Sequence, residues 1–268
     1  MPAGRWPAAP LRLAVVQADA APGDVGANVR AAVGAVEAAA AAGARLVAFP
    51  ELFLCRYDLA GLAARPASWL HPEDARLAPL RAASAATGAA VAVGAALRAG
   101  DGARWLATLW VEPGGGLGVY AKAHLHPTEQ GLFVPGPGPA VFAVGDWRVA
   151  PAICLDAAHP AHAMAAAARG AHLYLGASLY WRGEERRMGL QYGARAMDHR
   201  MYSAVANHLG VAGGGPSCGR SAVWGPDGAA VAALGHARPA VLHATLEPSA
   251  LAAYAAGAAN PGPPAPRV

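Results

Sequence analysis

Four side chains that could carry nucleophilic or acid–base chemistry lie at the ends of short apolar runs. Cys154 and Glu51 each follow such a run, Lys122 ends another, and Glu129 lies in the Gly- and Pro-rich loop after Lys122. A thiol with its ordinary pKa of about 8.5 is mostly protonated at neutral pH, so it needs an adjacent base. A carboxyl group flanked by apolar residues is partly desolvated, which raises its pKa toward that of a useful base. Together the four could supply a nucleophile, a base and a cation.

Each of these residues also has a plainer interpretation when it is taken alone. A single cysteine in an apolar segment usually fills space in a core. Glu51 could face water, Lys122 could be a solvated residue at a strand end, and Glu129 could be an ordinary loop residue outside the core. Cys55 and Cys218 have no base motif nearby, and we interpret them as non-catalytic.

Strand and helix patterns alternate along the chain in a way that positions these residues at strand ends. Apolar runs predict strands at 11–18, 45–49, 89–97, 105–112, 117–122, 140–144, 147–153, 171–177, 203–207, 220–224, 229–234 and 240–246. Helices are predicted at 25–42, 72–87, 161–169 and 185–201, with residues 123–139 as a loop. This alternation is typical of an α/β fold. We expect a single domain at 11–256, between an N-terminal tail at 1–10 and a Pro/Gly-rich tail at 257–268.

The predicted strand–turn–helix order around Cys154 suits a nucleophile. We expect the turn after the strand at 147–153 to lead into the helix at 161–169. Backbone N–H groups at such a turn can stabilise a thiolate or the oxyanion of an acyl intermediate.

Composition excludes several classes of protein. The 268 residues are 55% hydrophobic and 14% charged, which argues against disorder. The formal charge of +4 comes from scattered arginines, so no basic stripe predicts nucleic-acid binding. No apolar run has membrane-spanning length, and residues 1–10 lack the apolar segment of a signal peptide. Three cysteines without paired spacing favour a reduced, cytoplasmic compartment.

Taken together, four motifs resemble those of the carbon–nitrogen hydrolase (nitrilase) superfamily over residues 11–246. They are Phe-Pro-Glu at Glu51, Tyr-x-Lys-x-His-Leu at Lys122, a Glu before Phe-x-Pro-Gly at Glu129, and Ile-Cys-x-Asp at Cys154. The resemblance implies a four-layer α-β-β-α sandwich, dimerised through a shared helical layer. It also implies a catalytic Glu-Lys-Cys set with Glu129 as a fourth member, and no metal or organic cofactor.

The resemblance further implies a reaction on a small-molecule amide or N-carbamoyl compound through a thioester at Cys154. Glu51 would be the base, and Lys122 with the Leu155 N–H would stabilise the oxyanion. Glu129 would orient Lys122 or the leaving nitrogen. Leu-Asp after the cysteine is similar to amidases and carbamoylases, whereas nitrilases commonly carry Trp-Glu there. Candidate substrate contacts near the motifs are Tyr57, Leu155, His159, Ser178, Tyr180, Trp181 and Arg182.

The chain departs from the common family pattern after the nucleophile and in a later helix. His-Pro-Ala at 159–161 stands where Phe-Pro-Glu or Arg-Pro-Glu is frequent, and Asp198-His199 replaces Glu-Asn. A Gly that is often found near the end of the cysteine strand is also replaced, near Pro151. None of these changes removes a catalytic group.

Several alternatives remain open on sequence alone. The same site could hydrolyse nitriles, or the chain could be a non-catalytic scaffold. Residues 215–219 fit the G-x-S-x-G pattern around Ser217, but a serine elbow needs a strand before it and a helix after it. Here glycines precede Ser217 and a β-like run follows. The pairs His124/His126 and His159/His162 have no nearby Cys or carboxylate to complete a metal site.

Overall fold

The computed structural model describes residues 6–236 and 238–255. The predicted tail at 257–268 and the first five residues of the predicted tail at 1–10 lie outside the described residues. The helices are α1 (Val25–Ala41), α2 (Leu59–Ala64), α3 (Ala78–Thr87), α4 (Pro160–Ala168), α5 (Glu185–His199) and α6 (Pro248–Ala255). The strands are β1 (Leu11–Gln17), β2 (Leu46–Ala48), β3 (Ala90–Arg98), β4 (Arg104–Val111), β5 (Leu117–Ala121), β6 (Phe142–Val144), β7 (Trp147–Ile153), β8 (Leu173–Ser178), β9 (Tyr202–Asn207), β10 (Val211–Ala212), β11 (Gly215–Pro216), β12 (Ala222–Trp224), β13 (Ala230–Ala233) and β14 (Ala240–Leu246).

Two mixed six-stranded sheets form the centre of the fold. The first has the order β14-β1-β2-β3-β4-β5 and the second β13-β12-β9-β8-β7-β6. In each sheet three strands run parallel, β1 to β3 and β7 to β9, and the remaining pairs are antiparallel. Parallel strands joined by helical crossovers explain the helix–strand alternation of the sequence.

The predicted four-layer α-β-β-α sandwich is confirmed. One apolar core lies between the two sheets and includes Leu13, Trp110, Trp147 and Leu175. Two further cores bury the outer sheet faces, one against α1 and α3 and the other against α4 and α5. Helix α1 packs against its sheet through one apolar face. Its buried residues recur at helical spacing and are Val25, Val29, Ala32, Val36 and Ala39.

The sequence patterns did not predict some elements correctly. The helix expected at 72–87 begins only at Ala78, because the Asp74 carboxylate accepts a hydrogen bond from the Arg76 backbone and starts a separate 3₁₀ turn, Ala75–Leu77. Helix α2 and the small β10–β11 pair were not expected, since six and two residues are too short for a periodic pattern. Within the described part of the chain, no helix is both long and apolar enough to cross a membrane.

Candidate active site

Glu51 lies in the turn after β2, and this turn crosses closely over β3. The Leu54 N–H donates to the Gly94 carbonyl at 2.9 Å. A Cβ at Gly94 would lie 2.3 Å from the Leu52 nitrogen and 2.4 Å from the Pro50 oxygen, so only glycine fits there. The close approach leaves the Glu51 side chain fully buried, at 0% exposure.

A buried lysine joins this carboxylate to a second one. The Lys122 Nζ lies 2.8 Å from Glu51 Oε1 and 2.7 Å from Glu129 Oε1. Glu129 also accepts hydrogen bonds from the Tyr57 hydroxyl at 2.7 Å and the His126 N–H at 2.8 Å. The second carboxylate is therefore held by three donors from separate segments, and it fixes the ammonium group beside Glu51.

Burial sets the protonation states of this ion cluster. Burial raises the pKa of Glu51 to about 7; the positive charge of Lys122 opposes the shift and the negative charge of Glu129 adds to it. Burial alone would favour neutral Lys122, but the negative charges of Glu51 and Glu129 raise its pKa above the ordinary value, and ionisation of Cys154 would raise it further. Lys122 stays charged, while Glu51 can take up and release a proton near neutral pH.

Cys154 follows β7 and adopts a left-handed backbone conformation, with φ of 43°. Burial and the charge of Glu51 raise the pKa of its thiol, while the charge of Lys122 lowers it. The resting thiol is therefore protonated and needs a base. Glu51 Oε2 is buried and has no hydrogen-bond partner within the described residues. That free oxygen can accept the thiol proton.

The turn at Cys154 has the predicted strand–turn–helix order. Residues Cys154–Ala158 form a 3₁₀ turn, and α4 begins at Pro160, one residue before the predicted start. The start of α4 is therefore not at the thiol, and its dipole does not act directly on Cys154. The thiol instead lies 3.7 Å from the Leu179 carbonyl and in the electrostatic field of Glu51 and Lys122.

Asp156 links the segment around Cys154 to the segment around Lys122 by hydrogen bonds. Its Oδ2 accepts hydrogen bonds from the Ile153 N–H at 2.9 Å and the Tyr120 hydroxyl at 2.6 Å. Its Oδ1 accepts from the His124 N–H at 2.9 Å. Although burial opposes ionisation, these donors and the nearby His162 lower the pKa of Asp156. The sequence contained a signal for this structural role, an acidic residue in an apolar segment, but Asp156 was noted only as part of the Ile-Cys-x-Asp motif.

We expect Asp156→Asn to destabilise the protein. An amide NH₂ would face backbone or hydroxyl donors on whichever side it lies, and a buried unpaired donor costs about 1–3 kcal/mol. Thermal denaturation should show a lower midpoint for Asp156→Asn than for Asp146→Asn, which makes the same change at an exposed site. Equal midpoints for the two variants would contradict a stabilising role for the Asp156 hydrogen bonds.

Three of the four histidines noted in the sequence, His124, His159 and His162, contact this network or each other. His124 Nδ1 lies 2.9 Å from Asp156 Oδ1, and its ring stacks on His159 with centroids 3.9 Å apart. His162 lies within hydrogen-bond distance of the Tyr120 and Tyr174 hydroxyls, at 2.8 and 2.9 Å. In residues 6–236 and 238–255, no group of three or more His, Cys, Asp or Glu side chains could hold a metal ion.

A cavity of about 580 Å³ lies beside the ion cluster. Tyr57 belongs to both, since it lines the cavity and donates its hydroxyl hydrogen to Glu129. None of the four catalytic candidates lines this cavity itself. Its walls are Pro22, Arg56, Tyr57, Asp58, Leu59, Ala60, Thr128, Trp181, Val211, Ala212, Gly213 and Gly214. The β10–β11 hairpin forms one wall and is held by a bond from Trp181 Nε1 to the Ala212 carbonyl at 3.0 Å.

Only some of the predicted substrate contacts are placed near this cavity. Tyr57 and Trp181 line it, and Leu155 follows Cys154 directly. The Ser178 hydroxyl contacts the Tyr192 hydroxyl at 3.0 Å, and the Tyr180 hydroxyl donates to Gln191 at 2.6 Å.

Buried in this way against α5, Ser178 and Tyr180 do not line the cavity. Arg182 is exposed and does not line it either, so Arg56 is the arginine of the cavity wall. His159 stacks on His124 outside the set of lining residues.

The other candidate nucleophiles, Ser217, Cys55 and Cys218, are hydrogen-bonded or buried away from the ion cluster. The Ser217 hydroxyl donates to the His208 carbonyl at 2.6 Å, and the segment after it leads to β12, not to a helix. Burial raises the pKa of Cys55 to about 12 and that of Cys218 to about 12. Both thiols are protonated and buried, which leaves Cys154 as the thiol beside a base.

Comparison with known sequences places this arrangement in context. Residues 12–256 match the profile of the carbon–nitrogen hydrolase family. A glutamine-dependent NAD(+) synthetase of Rhodobacter capsulatus is 32% identical over 246 residues, which are 88% of this chain but only 44% of that protein. A nitrilase of Pyrococcus abyssi is 29% identical over 194 residues, which are 71% of this chain and 72% of the relative.

Solved structures of an amidase from Nesterenkonia sp. AN1 share the fold. One superposes with a TM-score of 0.81 at 30% identity and covers 90% of this chain and 94% of the amidase. A variant in complex with butyramide gives a TM-score of 0.82 at 29% identity and covers 95% of this chain and 98% of the amidase. In a further variant, acrylamide has added to the active-site cysteine.

Proposed function

Because the chain belongs to the carbon–nitrogen hydrolase family, we propose that it hydrolyses the C–N bond of a small amide or N-carbamoyl compound, with Cys154 as nucleophile. The observation that carries the proposal is the buried cluster in which Lys122 contacts both Glu51 and Glu129, at 2.8 and 2.7 Å. A cation and two carboxylates are costly to bury. Beside a thiol they can supply the base that removes its proton and the cation that stabilises an oxyanion, so the cost is typical of a functional site.

The first half of the reaction forms a thioester. Glu51 Oε2 takes the proton of the Cys154 thiol as sulfur attacks the substrate's carbonyl carbon. The oxyanion that develops is stabilised by the Lys122 ammonium and by the Leu155 N–H. The C–N bond then breaks, Glu51 returns the proton to the leaving nitrogen, and ammonia or an amine departs.

The second half restores the thiol. Glu51, ionised again, takes a proton from water, and the hydroxide formed attacks the thioester carbonyl through a second oxyanion. The C–S bond breaks, the proton returns to sulfur, and a carboxylic or carbamic acid leaves. The net change is addition of one water across the C–N bond, with no electron transfer.

The structural neighbours support amide over nitrile chemistry. The Nesterenkonia amidase, which shares 30% identity and the fold, has been captured with butyramide and with acrylamide. Leu155 and Asp156 after the nucleophile favour the same class. The nitrilase relative keeps nitrile hydrolysis as the second candidate.

An ammonia-release screen tests the proposed function. Simple amides, N-carbamoyl amino acids, ω-amides and nitriles would be compared, and we expect turnover of an amide or N-carbamoyl compound. Iodoacetamide should label Cys154 faster than Cys55 or Cys218, and substrate should protect it. Turnover of nitriles alone would replace the proposal with nitrilase activity. Labelling of Ser217 by a fluorophosphonate, with activity lost, would identify a serine hydrolase.

The pH profile should report the ionisation of Glu51. The base form is required, and burial raises its pKa to about 7, so kcat/KM should rise with pH to a plateau above about 7. Below that value it should fall about tenfold per pH unit. Measured on the preferred substrate, a midpoint near 4.5, the ordinary value, would contradict Glu51 as a desolvated base.

We also propose a homodimer that pairs the α4–α5 layers of two copies. This layer exposes three large apolar side chains, Met164, Leu190 and Met197, at 59%, 58% and 50%. Light scattering should show a dimer, and Leu190→Glu should weaken it, because burying an unpaired charge is costly. Val231→Glu should leave the dimer intact, because Val231 lies in β13, the edge strand of the second sheet, outside the α4–α5 layer, and is 49% exposed. A monomeric wild-type protein would refute this proposal.

A further inference from the structure

His208 is a fully buried histidine that the reaction above does not use. It follows β9 in the second sheet, and its Nε2 is hydrogen-bonded to the backbone carbonyl of Glu51, in the turn after β2 of the first sheet. Its own backbone is fixed on both sides, because its N–H donates to the Ser178 carbonyl and its carbonyl accepts from the Ser217 hydroxyl. The imidazole therefore reaches between the sheets from a rigid position.

The hydrogen bond defines the state of the ring. A carbonyl only accepts, so Nε2 must carry the hydrogen. Nδ1 is buried and has no partner in the described part of the chain. Burial lowers the pKa of His208 to about 4, the Glu51 carbonyl and Asp19 oppose the shift, and Arg56 adds to it. The ring is thus neutral, with one nitrogen that donates and one that is left unsatisfied.

An unsatisfied buried nitrogen is costly, and an apolar residue of similar size would avoid that cost. We propose that His208 is a positioning residue that fixes the backbone of the base Glu51 by its hydrogen bond to the Glu51 carbonyl. The Gly94 backbone packs directly against the turn that carries Glu51. His208, from the second sheet, holds the Glu51 carbonyl by a hydrogen bond. The two contacts together determine where the free Oε2 of Glu51 points.

The inference rests on the proposed function, because it concerns the base of that reaction. If the bond is lost, the carboxylate can move by a fraction of an ångström to an ångström, and misplacement on that scale costs up to about a hundredfold in rate. Glu51 acts on the bound substrate, so kcat and kcat/KM should fall together while KM changes little.

A pair of amide variants tests this. The Nε2 of His208→Gln can reach the Glu51 carbonyl, whereas the shorter side chain of His208→Asn cannot. We expect kcat of the Asn variant to fall about tenfold or more and that of the Gln variant to stay clearly higher. Labelling of Cys154 by iodoacetamide at pH 7, which needs no substrate, should follow the same order. His172→Asn, at another buried histidine of the second-sheet region, should lower the melting temperature but leave kcat unchanged.

A wild-type measurement makes the test independent of folding in the variants. The ¹⁵N chemical shifts of the His208 ring should show a protonated Nε2 and an unprotonated Nδ1. The opposite tautomer would overturn the proposal, as would equal kcat values for the Gln and Asn variants. A wild-type protein that hydrolyses none of the compounds in the ammonia screen would defeat the proposed function instead, and the tautomer would still decide whether the bond exists.

Discussion

Cys154→Ala and Cys154→Gly are both expected to release no ammonia from any substrate. Either change removes the sulfur that forms the thioester, and the other thiols are buried and protonated. The fold should persist, because the one hydrogen bond of the thiol is a weak contact with the Leu179 carbonyl at 3.7 Å. Loss of activity without loss of the circular dichroism signal is the expected result.

The two variants should differ in stability. Cys154 has φ of 43°, a conformation that strains any residue with a Cβ. Glycine relieves that strain but loses more chain entropy on folding, so Cys154→Gly should exceed Cys154→Ala by roughly 0.5–1 kcal/mol in free energy of unfolding. Chemical denaturation of the two inactive proteins measures this difference directly.

A control separates strain relief from catalysis. Arg200 caps α5 with a similar φ of 54°, far along the chain from the site motifs. Arg200→Gly should gain a comparable amount of stability and keep full turnover. If Cys154→Gly is no more stable than Cys154→Ala while Arg200→Gly is stabilised, the turn at Cys154 is not strained. Together the variants would show that the nucleophile occupies its position at the expense of stability.

The sequence predicted the fold well because its signals there are local. Helix 25–42 ends within one residue of α1, since Asp24 caps its start and its apolar residues keep helical spacing. Strand 240–246 matches β14 fully. The motifs that resemble the family likewise predicted that Glu51, Lys122 and Glu129 share one site, and the structure brings their side chains into contact.

What the sequence did not predict depends on which face of an element is turned inward. Ser178 ends β8 and Tyr180 follows it, but both side chains face α5, where they contact Tyr192 and Gln191. Arg56 was not singled out, yet it lines the cavity from a backbone position with a positive φ of 65° that the sequence pattern does not reveal. His208 is distant from Glu51 in sequence, and only the pairing of two sheets brings them together.

The Glu129→Gln variant should lose kcat/KM by about a hundredfold or more. The change keeps the shape and removes the negative charge that lies 2.7 Å from the Lys122 ammonium. Lys122 then keeps only one of the two carboxylates that hold its ammonium group, so the cation that stabilises the oxyanion is less well positioned, while Glu51 can still take the thiol proton. Steady-state kinetics on the preferred amide measures the loss.

The structure also changes the expectation for stability. A loop glutamate outside the core would tolerate the change, but Glu129 is 1% exposed and three donors surround its carboxylate. The NH₂ of glutamine must face either the His126 N–H or the Lys122 ammonium and Tyr57 hydroxyl. At least one donor is left unpaired in each case, so the free energy of unfolding should fall by about 1–3 kcal/mol.

Tyr57→Phe is the matched control, because it removes one donor to Glu129 and leaves the ion pair with Lys122 in place. Its loss of activity should be much smaller than that of Glu129→Gln. Labelling of Cys154 by iodoacetamide should persist in both variants, since Glu51 and the thiol remain. Near-normal amide turnover by Glu129→Gln would show that the charge of Glu129 is not needed for the reaction. A loss in Tyr57→Phe as large as in Glu129→Gln would assign the effect to the position of the carboxylate instead of its charge.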